Sequence, residues 1–289
     1  MNLYIAGILI TIEINVILAL SLYSVISTGQ FSLAHGAFMG IGAYISSVLT
    51  VNFHVPLGVA LLIAALISGG FGIIVGFPAL RVRRNLYLAI ATLGFGEIMR
   101  VVFLNTEYIG AATGFRGMKG TSLSLATGVV AILIIFFYVV ERSRLGLARE
   151  AVRYNPDAAS MMGLNVTRIK VTAFAQGAFM AGLAGGLYAH YAYFIEPSTF
   201  GFFGSLIILF FVIFGGGEVL WGSIIGAVIL TALLELLRFT LSWRIAFYGA
   251  IIVIIMLVRP QGLVDKNLLN WISDSVRGMV SFGGSKRGE

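Results

Sequence analysis

Glutamate and arginine recur inside the apolar runs of this sequence at a spacing that lets them pair. Glu97 and Arg100 stand three residues apart, on one face if their segment is helical, and Glu235 and Arg238 repeat the spacing. Glu13 lies within an earlier apolar run. Ionisable side chains in membrane-grade sequence are costly to bury, so each is a candidate for function. Two roles fit. One is a structural ion pair, favoured for Glu97 and Arg100 because they lie near the end of their run, where arginine can snorkel. The other is proton carriage by Glu13, Glu97 and Glu235. A second polar group, Gln30, Ser32 and His35, opens a glycine-rich stretch in which Gly36 and Gly40 form a G-x-x-x-G face. Tight helix packing alone does not account for those three polar residues, which favours a place along a translocation pathway.

Bond-making chemistry has little support. The chain has no cysteine, which removes thiol catalysis, disulfides and thiolate metal sites. No G-x-x-x-x-G-K-[ST] pattern occurs, so the chain is not expected to hydrolyse nucleotide itself. His35, His54 and His190 are scattered without a metal-binding spacing. No metal, no resident cofactor and no catalytic residue is expected.

The longest polar interruption, residues 141–170, carries a different signal. Asn155 can cap a helix, Pro156 suits the first helical position, and Asp157 then meets the positive end of the helix dipole. Gly163 is a stop signal that fits a left-handed backbone. The sequence predicts a short helix over 156–163, about two turns long and too short to stand alone. Small side chains at Ala158 and Ala159 would let it seat in a groove.

The elements that must position these groups are membrane helices. Of the 289 residues, 59% are hydrophobic and 11% charged, more apolar surface than a water-soluble fold can hide. Apolar runs long enough to span a bilayer recur along the chain. The fold expected is all-α: one polytopic membrane domain over 1–289 with eight or nine transmembrane helices. Nine result if every run crosses. Eight remain if the glycine-rich segment 28–52 is a broken helix that only re-enters. An internal repeat is also weighed, because the spacing Leu33, Gly36, Gly40 resembles Leu220, Gly222, Gly226, and Glu97–Arg100 resembles Glu235–Arg238. The net charge of +7 is concentrated near residues 81–84, 142–170 and 259–287, flanking apolar spans. That is the positive-inside pattern of cytoplasmic loops, with the polar tail 259–289 inside and the bilayer surface, not nucleic acid, as the basic partner.

Several blocks together resemble the branched-chain amino acid ABC permeases, the LivH/LivM family. They are GQFSLAHGAFMGIGAY at 29–44, FPALRVR at 77–83, YLAIATLGFGEIMR at 87–100, TGFRG at 113–117, Asp157-Ala158-Ala159 with Gly163, and RPQGL at 259–263. The second and third look like the LivM type. The resemblance implies a permease subunit of the prokaryotic inner membrane that carries leucine, isoleucine or valine. It implies a LivH-like sister permease, two ATPase subunits that bind ATP and magnesium, and an extracytoplasmic binding protein. The loop with Asp157, Ala158, Ala159 and Gly163 would be the EAA-type coupling helix that docks on an ATPase. A urea or short-amide permease looks very similar, and a proton-coupled secondary transporter is the rival from another class.

Overall fold

A computed structural model of the chain describes residues 3–79, 85–237, 244–259 and 262–264. Apolar stretches fold as helices because only internal hydrogen bonding satisfies the backbone where water is absent. In order these are α1 (Leu3–Ile26), α2 (His35–Val51), α3 (Leu57–Ala79), α4 (Asn85–Asn105), α5 (Leu123–Arg142), α6 (Arg144–Tyr154), α7 (Pro156–Met161), α8 (Val166–Ala192), α9 (Phe202–Gly215), α10 (Leu220–Leu236) and α11 (Arg244–Val258). A two-residue antiparallel pair, β1 (Phe115–Arg116) with β2 (Phe194–Ile195), interrupts the expected all-α pattern. It joins two loops at one end of the bundle and is too short to leave a period in the sequence.

α8 is the central mast. Its 27 residues extend about 40 Å, longer than the hydrocarbon core of a bilayer. Glycines let three helices approach it closely. Gly177 faces the Ser21 carbonyl of α1, Gly185 faces the Met39 carbonyl of α2, and Gly182 lies on Ser68 of α3. α1 runs antiparallel to α8: Ser24 Oγ donates to the Ala173 carbonyl at 2.9 Å near one end, and Tyr191 Oη donates to the Gly7 carbonyl at 3.1 Å near the other. α2 runs parallel to α8, from Gly177 beside His35 to Thr50 Oγ1 at 2.8 Å from His190 Nε2. The chain therefore turns between α1 and α2 at the end that carries α6 and α7, and Leu3 starts at the opposite end.

Four helices, α1, α3, α4 and α5, are long and apolar enough to cross a membrane by themselves. The pair α9 and α10, bent by 119°, gives a fifth if counted as one span. By length and composition, four or five spans are identified among the described residues, short of the eight or nine expected. α8 is long enough to cross but less apolar than these four, and other apolar helices are shorter. α2 and α10 have 17 residues, α11 has 15 and α9 has 14. The glycine-rich segment is broken: residues 28–34 are not helical, and α2 begins only at His35. A second break, at 216–219, separates α9 from α10.

Candidate functional site

α7 is a locally closed unit. Asn155 Oδ1 accepts from the backbone N–H of Asp157 at 3.1 Å and of Ala158 at 3.0 Å, the first orphan donors of the helix. At the other end, Leu164 N–H reaches the Ala159 carbonyl at 3.1 Å and Gly163 N–H reaches the Ser160 carbonyl at 3.0 Å. These two bonds form a Schellman cap, which needs the left-handed backbone that Gly163 adopts at φ +83°. The side chains divide by face. Ala159 is buried, 4% exposed, against its own chain, whereas Met161 and Met162 are 90% and 84% exposed. Of the two alanines expected to let the helix seat in a groove, Ala158 faces outward and Ala159 faces its own chain. Asp157, Ala158, Met161 and Met162 form the outer surface, and the small size of Ala159 serves packing at home.

α6 leads into α7, and Asn155 is at once its C-cap and the N-cap of α7. Three polar ties fasten this corner to the membrane body. Arg149 donates to Gln176 Oε1 of α8, and Tyr23 Oη of α1 donates to Glu141 at the end of α5. Arg153 Nη2 donates to Glu218 Oε1 in the α9–α10 break at 2.6 Å. A cavity of about 320 Å³ lies between them, lined by Tyr23, Phe137, Glu141, Arg149, Arg153 and Glu218. Burial lowers the Arg149 guanidinium below its ordinary value, and Tyr23 and Glu141 pull it back up. Sequence reasoning counted Arg149 and Arg153 only as part of a basic cluster. The one local signal was Arg149 and Val152 three apart on the buried face of α6.

The structure gathers Gln30, Ser32, His35, Gly36 and Gly40 around the start of α2, all buried. Gln30 Oε1 accepts from Thr28 Oγ1 at 3.1 Å, and Ser32 Oγ accepts from Ala34 N–H at 3.2 Å. Leu33 N–H donates to Thr92 Oγ1 of α4 at 2.9 Å. Gly36 N–H donates to Ser205 Oγ of α9 at 3.1 Å, and Gly40 lies against Phe103 and Phe200. The His35 ring sits among Phe38 and Phe174, and neither nitrogen reaches a hydrogen-bond partner, although the Ser21 carbonyl faces it.

Glu97 and Arg100 do pair, with Oε2 to Nε at 2.7 Å and both side chains 35% exposed. The other carboxylate oxygen of Glu97 accepts the Phe202 N–H at 3.1 Å. The carboxylate thus sits at the positive end of α9, where a negative charge is favoured. Glu235 accepts from Tyr4 Oη at 2.6 Å, while its expected partner Arg238 lies outside the described residues. Glu13 accepts from Thr127 Oγ1 at 2.5 Å. No group of three metal-ligating side chains converges among the described residues.

The sequence has named relatives. The permease protein LivM of the high-affinity branched-chain amino acid transport system of Salmonella typhimurium is 35% identical, over 87% of this chain and 68% of its own length. The Escherichia coli LivM is 33% identical over the same shares. A probable branched-chain amino acid transport permease protein LivH of Methanocaldococcus jannaschii is 27% identical, over 89% of this chain and 90% of its own. No solved structure matches the chain. Residues 4–258 match the family described as the permease component of the branched-chain amino acid transport system. With apolar helices around a glycine-lined mast and a capped helix projecting from one end, the chain belongs to the branched-chain amino acid transport system permease family.

Proposed function

We propose that this chain is one permease subunit of an ATP-driven importer of leucine, isoleucine and valine in a prokaryotic inner membrane. It works with a LivH-like sister permease, two ATPase subunits that bind ATP and magnesium, and an extracytoplasmic binding protein. The end carrying α6 and α7 is cytoplasmic, in keeping with its concentration of arginine. α7 is the contact for an ATPase subunit, and its displacement during nucleotide binding opens and closes the path between the permeases. The observation that carries this reading is the outer face of α7. On a chain of a permease family, two methionines project from a short helix sealed at both ends by its own residues. Methionine is flexible and polarizable and suits a partner's apolar groove.

The test is co-expression of the four-part complex, followed by reconstitution with the binding protein. Leucine uptake that requires ATP is the expected result. Preference for urea over leucine would move the substrate to the short amides. Uptake by this chain alone on a proton gradient would overturn the ATP-driven reading. Gly163→Asp supplies the residue-level check. No atom lies within 4 Å of a Cβ at Gly163, so the variant inserts normally. The left-handed backbone disfavours aspartate there, and co-purification of the ATPase subunits is expected to fall by about tenfold. Full ATPase binding in both Gly163→Asp and Met162→Glu would exclude α7 as the contact.

A further inference from the structure

Two breaks interrupt the helices at the end that carries α7, and one residue touches both. Gly29, at φ +76°, opens the break between α1 and α2, and a Cβ there would lie 3.3 Å from both the Cα and the carbonyl oxygen of Arg153. The backbone of Arg153 thus bears on the first break. Its side chain reaches the second break and pairs with Glu218 at 2.6 Å. Arg153 stands two residues before Asn155, the residue that caps α6 and α7 together, so the arginine and the projecting helix move as one corner.

The two contacts do different mechanical work. A close approach without a bond, such as that of the Arg153 backbone to Gly29, transmits a push but offers little resistance to separation. An ion pair resists separation and transmits a pull as well. The pair is partly open to water, with side-chain exposures of 20% for Arg153 and 46% for Glu218. Such pairs contribute little to stability, so a function in holding position fits it better than a function in folding. The second break can yield. It turns on Gly216 at φ +107°, and the preceding helix ends in carbonyls that are bonded outside their own helix.

We infer that Arg153 is the positioning residue through which displacement of α7 reaches both helix breaks, its ion pair with Glu218 carrying the return stroke. This rests on the transport reading above. The expected partner of Arg153 is therefore Glu218 of this same chain, not a transported solute.

Charge reversal in the reconstituted four-part complex tests it. Arg153→Glu is expected to lower leucine uptake per ATP hydrolysed by about tenfold, within the range of ordinary coupling between sites, while the ATPase subunits still co-purify. Glu218→Arg does the same, and the double swap regains most of the loss. Uptake per ATP within about twofold of the unaltered complex in both single variants overturns the inference. So does a double swap no better than either single. Hydrogen exchange on the purified chain needs neither ATP nor solute. Glu218→Gln is expected to speed exchange by about fivefold at 216–219 and at 153–163 together, with β1 and β2 unchanged. Unchanged exchange overturns the link even where no transport is measured. An unaltered complex without ATP-driven uptake, but with linked exchange, defeats the transport reading and leaves the mechanical link standing.

Discussion

At residues 28–34 the chain leaves α1 and stays irregular inside the protein; at 216–219 it turns on the buried Gly216 and exposes Glu218. The first break is closed from within. Thr28, Gln30 and Ser32 are buried, and backbone N–H groups donate to Ser32 Oγ within the break and to Thr92 Oγ1 of α4. The second is closed by remote pieces of chain. Leu263 N–H and Val264 N–H donate to the Phe214 and Gly215 carbonyls at 2.9 and 3.0 Å, and Glu218 is held by Arg153. Both solve the same problem, the loose carbonyls and N–H groups of a helix end. The first solution is part of the core and shifts only together with its surroundings. The second uses ties that can be lengthened one at a time, so it is the place for movement.

Damage near the first break should therefore appear as lost stability, and damage at the second as altered transport. The largest effect is expected for Gly40→Leu. Its Cβ alone would come within 2.7 Å of Phe103 and 2.9 Å of Phe200, both of them buried. Overpacking of about 3 kcal/mol should lower the melting temperature in detergent or prevent assembly. A normally assembled, fully active variant would show that this region yields after all. Thr92→Val comes next. It leaves the half-buried Leu33 N–H without its partner, a loss of about 2 kcal/mol in thermal unfolding with uptake per ATP unchanged in the protein that remains. A changed coupling ratio would erase the distinction between the breaks.

Leu263→Pro probes the second break. It removes the donor to Phe214 and should cost about 1 kcal/mol, while altering uptake per ATP. A pure stability loss would make this break as static as the first. The smallest effect is expected for Glu97→Gln, at the start of α9. The partly exposed pair and the contact at the helix terminus together contribute about 1 kcal/mol. Detergent melting should fall slightly with the order of preference among leucine, isoleucine and valine unchanged. A changed order at constant melting temperature would bring Glu97 into the path.

What could be read in the sequence was what is local. Asn155, Pro156 and Gly163 announce a short capped helix within nine residues, and Glu97 and Arg100 announce a pair within four. The bonds that give those groups their positions join residues far apart. Phe202 reaches Glu97 across 105 positions, and Arg153 reaches Glu218 across 65. Nothing in the periodicity of either segment specifies the other. Ala158 and Ala159 look alike in the chain, and only the placement of α6 and α8 decides which one turns inward. The number of spans is hard to read for a related reason, because an apolar run does not reveal where its helix stops. The bend of 119° after Gly215, tied by residues near position 263, likewise joins pieces of chain far apart.

The double capping of α7 has an evolutionary consequence. Asn155 and Gly163 hold the ends, and Ala159 alone among the residues between them is buried. The positions facing outward beyond the first turn, Ala158, Ser160, Met161 and Met162, take no part in sealing the helix through their side chains. Substitutions there change what the helix presents without changing whether it forms. Partner choice can therefore drift, one exposed side chain at a time, in a lineage whose membrane body stays constant, and a duplicated gene can acquire a different ATPase before its transported solute changes.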